Sequence, residues 1–103
     1  MGQEKQHSEA LERAAHPVRP EDFDRFVATI SALRAPDGCP WDREQTHQSI
    51  AHNMIEEAYE ADDAIESGEA AHLREELGDV LLQVGLQSQV ASGQGGFDIG
   101  DGA

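Results

Sequence analysis

The acids of this chain are unevenly placed. Between Glu56 and Asp79 there are ten carboxylates and one arginine, Arg74. Two pairs in this stretch share one spacing: Glu57 with Glu60, and Glu76 with Asp79. Three residues of helix put two side chains on one face, one turn apart. At about 100° of rotation per residue, with Glu57 at zero, Glu60 falls at about 300°. Ile50, Met54 and Ala61 lie within about 60° of Glu57, and Ala64 falls between the two acids. Repeated from Glu76, the arithmetic puts Asp79 at about 300° with Gln83 between them, and Val80, Leu86 and Val90 as apolar neighbours. Glu56 and Glu75 point further out. Taken singly, each acid reads as ordinary solvated helix surface. Two matched pairs bordered by apolar residues read as a site.

Four carboxylates in a partly apolar setting repel one another and lose hydration, so they cannot all stay charged alone. A bound cation removes the conflict. Donor sets made only of oxygen favour Mg²⁺, Mn²⁺ or Ca²⁺ over Zn²⁺.

The elements that must position these acids are helical. Phe23, Phe26, Val27, Ile30 and Leu33 recur at helical spacing after Pro20-Glu21-Asp22, and Pro36-Asp37-Gly38 ends that helix near Ala35. Cys39 to Asp42 reads as irregular, with Asp42 and Gln45 resembling a capping box. A second helix is predicted from about Thr46 to Glu66, with Ile50, Met54, Ala58, Ala61 and Ile65 as its apolar stripe. Ser67-Gly68 breaks it. A third runs from near Glu69 to about Ser92, with Leu73, Leu77, Val80, Leu81 and Val84 as its expected core face. From Val80 to Phe97 there is no charged residue, and Leu82, Leu86 and Val90 carry apolar character round the other side. A helix apolar over most of its circumference is buried on several faces, which in a short chain predicts a subunit interface.

The expected fold is all-α: a hairpin or bundle of three main helices, completed by dimerisation. Residues 1–20 read as a flexible leader, with a short helix around Ser8 to Ala15. Residues 21–92 read as the helical domain, and 93–103 as a glycine-rich mobile tail. Helices joined by a short break are antiparallel neighbours, so the two acid pairs are expected to meet across their interface.

Bulk properties narrow the function. The chain has 103 residues and a formal net charge of −14. That balance argues against nucleic-acid and anionic-membrane binding, which need basic surface. One cysteine, Cys39, excludes an internal disulfide and points to a cytoplasmic home. The first 20 residues have no apolar core of signal-peptide length, and no apolar run reaches membrane-spanning length.

Three segments together resemble the MazG family of nucleoside triphosphate pyrophosphohydrolases: Cys39 to Ile50 (CPWDREQTHQSI), Glu56 to Glu60 (EEAYE) and Glu75 to Val84 (EELGDVLLQV). The family's hallmark is EExxE followed by ExxD, and the resemblance spans roughly Phe23 to Asp101. It implies an all-α fold that dimerises, with the site near the subunit interface. It implies cleavage between the α- and β-phosphates of a nucleotide, giving monophosphate and pyrophosphate, with Mg²⁺ as cofactor and Mn²⁺ as its substitute. The family's metal ligands map onto Glu57, Glu60, Glu76 and Asp79. Glu56 and Glu60 are the candidates for the group that takes a proton from the attacking water. Trp41 and Gln45 are candidates for contact with the base; Trp41 reads equally as a core aromatic. One departure concerns the phosphates. Family members continue into a helical part carrying basic residues, whereas here no lysine follows Lys5, and Arg25, Arg34, Arg43 and Arg74 are the only arginines after Arg19. A truncated domain, or a subunit that borrows residues from a neighbour, is therefore expected.

Two other readings remain open at this level. Glu44-x-x-His47 and Glu69-x-x-His72 have the Glu-x-x-His spacing of carboxylate-bridged di-iron bundles. The shortage of bases also fits a non-catalytic helical dimerisation module. His7, His16 and His52 read as surface residues, and Cys39 has no His–acid partner to activate it.

Overall fold

The structure, a computed structural model, describes residues 19–103. The leader's short helix around Ser8 to Ala15 lies outside the described residues. Five helices follow: α1 (Pro20–Arg34), α2 (Pro40–Glu44), α3 (His47–Ser67), α4 (Ala70–Gly93) and α5 (Ile99–Gly102). The described residues contain no strand, and the fold is all-α. None of these helices is long and apolar enough to cross a membrane.

Local chemistry sets the helix ends. Pro20 opens α1, where its missing N–H is no loss, and Glu21 and Asp22 occupy the positive first turn. The segment expected to be irregular contains α2, again opened by a proline, Pro40. Asp42 and Gln45 do not form a capping box: Asp42 lies inside α2 and Gln45 is its C-cap. The box belongs to the next helix, where Thr46 Oγ1 accepts from Ser49 N at 3.1 Å and Ser49 Oγ accepts from Thr46 N at 2.8 Å. A hydroxyl at the third position closes the box as well as the Glu or Gln that the pattern favours. Gly68 ends α3 at φ 74°, a left-handed conformation that a side chain would strain.

Arg34 fixes the corner between α1 and α3. Its guanidinium donates to the carbonyls of Asp42 and Gln45, at 2.6 and 2.9 Å, and so ties down the end of α2. Arg43 donates in turn to the Pro36 carbonyl.

Helices α3 and α4 form the hairpin that makes most of the interhelical contact. Ile50, Ala61 and Ala64 are the buried residues of α3; Gln83, Gly85, Leu86, Val90 and Ala91 are those of α4. Helix α1 packs across the second half of α4, and Ile30, Ile50 and Leu86 form the core, with Phe26 against it. Gly85 permits that crossing: a Cβ there would stand 2.3 Å from Ile30 Cδ1 and 2.9 Å from Phe26 Cζ. At the other edge the Gln87 amide bridges the hairpin. It donates to the His47 carbonyl at 3.1 Å and accepts from His47 Nδ1.

The buried face of α4 differs from expectation. Leu77, Leu81 and Val84 were expected in the core, yet they are 52, 40 and 38% exposed. Within the chain α4 turns its Gln83–Leu86–Val90 side inward. Its apolar residues run nearly all round, so periodicity alone does not choose a face; α3 and α1 cover one side and leave the other open. On α3, Ile65 is likewise exposed, and Ala64 takes the buried place. Residues 93–103 hold α5, where Asp98 and Asp101 cap each other's backbone N–H groups at 3.0 Å.

Candidate metal centre

The hairpin carries the acids. Glu57 and Glu60 sit on α3; Glu76 and Asp79 sit in the first half of α4. Because the helices run antiparallel, the second half of α3 faces the first half of α4. Glu57, Glu76 and Asp79 each place one carboxylate oxygen within 4.8 Å of the others. Glu60 is not one of these three, but its charge acts on both Glu57 and Glu76.

The setting is costly for negative charge. Glu57 Oε2 and Glu76 Oε2 are shut off from solvent, and neither has a hydrogen-bond partner among the described residues. Burial pushes the Glu57 carboxyl above its ordinary range, and the charges of Glu60, Asp79 and Glu76 push the same way. Burial also raises Glu76, followed by the neighbouring Glu60 and the charge of Asp79, while His72 opposes them. His72 Nε2 stands 3.4 Å from Glu76 Oε1. An acceptor-only group of this kind fits a hard divalent cation: it offers oxygens, lacks donors, and two of its oxygens are unsatisfied in its absence.

The remaining candidates lie elsewhere. Glu56 is solvent-exposed, with Oε1 2.9 Å from His52 Nε2, on the outer side of α3 where helix spacing put it. Trp41 is 59% exposed on α2, so it is not a core aromatic. The Gln45 side chain is engaged locally: Nε2 donates to the Trp41 carbonyl at 2.9 Å, and Oε1 accepts from Ser49 Oγ at 2.7 Å. About 15 Å of helix separates His47, at the start of α3, from Glu57. The structure thus brings Glu57, Glu76 and Asp79 together, with Glu60 outside that group of oxygens, and leaves Trp41 and Gln45 beside α2.

The di-iron arrangement fails on geometry. Its two Glu-x-x-His motifs fall at the starts of antiparallel helices, and α3, with 21 residues, is about 30 Å long. The motifs therefore stand at opposite ends of the hairpin. His47 is moreover engaged with Gln87.

A further residue of this region is buried beside the acid-bearing turns of α4. Gln83 is 8% exposed, and its Oε1 has no hydrogen-bond partner among the described residues. The available signal was its direction on the helix, between Glu76 and Asp79.

Comparison with known proteins identifies a family. Residues 45–103 match the MazG nucleotide pyrophosphohydrolase domain. The chain is 47% identical over 79 residues to the nucleoside triphosphate pyrophosphohydrolase/pyrophosphatase MazG of Thermotoga maritima, covering 77% of this chain and 31% of that protein. It is 47% identical over 80 residues to the nucleoside triphosphate pyrophosphohydrolase of Escherichia coli K12, covering 77% of this chain and 30% of the relative. It is 51% identical over 80 residues to the uncharacterized protein YabN of Bacillus subtilis, covering 78% of this chain and 16% of the relative. The chain thus spans less than a third of the length of these curated relatives.

Proposed function

This chain belongs to the MazG nucleotide pyrophosphohydrolase family, and on that premise we propose that it hydrolyses nucleoside triphosphates to the monophosphate and pyrophosphate, using Mg²⁺ held by Glu57, Glu60, Glu76 and Asp79. One observation carries the reading. Two carboxylate oxygens from facing helices, Glu57 Oε2 and Glu76 Oε2, are buried beside further acids, and no donor among the described residues satisfies them. Mg²⁺ bound there supplies charge neutralisation for the phosphate oxygens and a lowered pKa for bound water. The chain's own residues do the rest. Glu57 and Glu76, fixed by hairpin packing, form the inner wall of the site. The solvent-exposed Glu60 and Asp79 form its open edge, where a polyphosphate can approach. Glu60, exposed at that edge, is the candidate to take the proton of an attacking water. Glu56, engaged with His52, is the weaker candidate. Trp41, exposed on α2, offers a stacking surface for a base.

The relatives' names support the substrate class. The partner in this reading is a second copy of the chain. Leu77, Leu81 and Val84 leave an apolar strip on α4, and α3 carries an open apolar trough lined by Met54, Ile55, Ala58 and Tyr59. Helix handedness puts both on the same side of an antiparallel hairpin.

A second reading, a non-catalytic dimerisation module, draws on the bases. Arg34 and Arg43 are tied to backbone carbonyls and Arg19 to Asp22, which leaves few donors for a triphosphate. A panel of nucleoside triphosphates incubated with the protein and Mg²⁺ separates the two. Pyrophosphate release that Glu57→Gln and Asp79→Asn each reduce by at least about a hundredfold, a loss of roughly 2.7 kcal/mol in the barrier, supports the enzyme. Folded protein that releases none with any nucleotide supports the module.

A further inference from the structure

The metal-centre reading leaves one buried polar group unexplained. Gln83 is more than nine-tenths buried, in a helix stretch otherwise built from Val, Leu, Ala and Gly on its inward side. Burying an amide without partners costs stability. A methionine or leucine of similar volume would fill the same space without that cost.

Its position gives a reason. Gln83 follows Asp79 by four residues and Glu76 by seven, and its direction on the helix falls between theirs at about 340° from Glu76. Side chains on a helix lean toward its N-terminus and cover the preceding turn. Gln83 therefore leans toward Asp79 and Glu76. The buried side-chain atoms without partners among the described residues are Glu57 Oε2, Glu76 Oε2 and Gln83 Oε1, all three acceptors. Acceptors cannot satisfy one another. A hydrated cation answers all three at once, with charge for the carboxylates and water O–H donors for the amide.

We infer that Gln83 is a positioning residue of the metal centre: its Oε1 accepts a hydrogen bond from water carried by the divalent cation that Glu57, Glu76 and Asp79 bind. This inference rests on the metal-centre reading above. Gln83 acts in the outer sphere, selecting for an ion that keeps its waters. Such outer partners tune affinity strongly in known metal sites.

The test uses the full chain, with Mn²⁺ alone as one probe and hexaamminecobalt(III), whose ammines do not exchange, as the other. Calorimetry gives both affinities for the wild type, Gln83→Met and Glu57→Gln, and each variant's melting temperature is taken in EDTA. For Gln83→Met the expected result is roughly tenfold weaker binding of both probes, the lower end of outer-sphere effects, with a metal-free melting temperature equal to or above wild type. Unchanged affinity for either probe overturns the inference. So does weaker binding accompanied by a lower metal-free melting temperature, which would mark Gln83 as a packing residue. Wild-type protein that binds no Mn²⁺ would instead bring down the metal-centre reading itself, and Glu57→Gln that binds Mn²⁺ like wild type would remove Glu57 from it.

Discussion

Glu57 and Glu76 belong to different helices, yet they bring carboxylate oxygens within 4.8 Å of each other, and each keeps its Oε2 buried without a partner among the described residues. Like charges so placed oppose the packing of α3 against α4. The hairpin is therefore a structure that a cation should tighten.

Divalent metal is expected to raise the melting temperature. At a concentration of 100 times Kd, a ligand that binds only the folded state adds about 2.7 kcal/mol, or roughly 10–20 °C for a domain of this size. Scanning calorimetry with Mg²⁺, Mn²⁺ or EDTA measures the shift. Glu76→Gln should lose most of it while melting no lower than wild type in EDTA, because it removes a repelled charge.

Metal-free stability should depend on pH in a direction unusual for carboxylates. The folded-state pKa values of Glu57 and Glu76 are raised above the ordinary 4.5, so the folded protein holds protons that the unfolded chain releases. Their contribution is fully present below 4.5 and is lost as pH rises through the raised values. Urea midpoints in EDTA should fall across that window as pH increases, and saturating Mg²⁺ should reverse the slope, because metal requires the deprotonated acids. A metal-free midpoint that rises steadily through the window would contradict the raised values.

The α1–α4 crossing depends on Gly85. Gly85→Val would drive side-chain atoms into Ile30 and Phe26, which already crowd the position. Overpacking of this kind costs about 1–3 kcal/mol. Denaturant titration should show that loss, and the metal-induced shift should survive, because α1 carries none of the four acids.

The Gln87 bridge ties the start of α3 to the second half of α4. Gln87→Ala removes both bonds to His47 and should cost about 1–3 kcal/mol. His47→Asn offers a control: the backbone acceptor stays, so only the ring's share should be lost. Equal losses in the two variants would show that the His47 carbonyl bond contributes nothing.

The apolar strip on α4 should be an interface between copies. Leu81 is 40% exposed, with Leu77 and Val84 beside it. Leu81→Glu should leave the fold's helical content intact and yield a smaller species by light scattering, whereas a wild-type chain already monomeric at micromolar concentration would exclude the dimer.

What was legible in the sequence was what helices determine locally. The spacing of Glu57 with Glu60 and of Glu76 with Asp79, the stop at Gly68 and the opening at Pro20 all depend on residues within a turn or two of one another. Spacing also separated Glu56 from Glu57, because one residue of helix turns a side chain by about 100°. The capping box was misplaced by one element: Asp42 and Gln45 fit the pattern, and nothing local distinguished them from Thr46 and Ser49. The tertiary structure decided which side of α4 is covered, since Leu77, Leu81 and Val84 are as apolar as Leu86 and Val90. It decided that Glu57, Glu76 and Asp79 share one space, and that Gln83 Oε1 is sealed in with no partner among the described residues. Those facts depend on the rotation of α3 and α4 about their own axes. Packing against Ile30, Ile50 and Gly85 sets that rotation, and no spacing within a single helix records it.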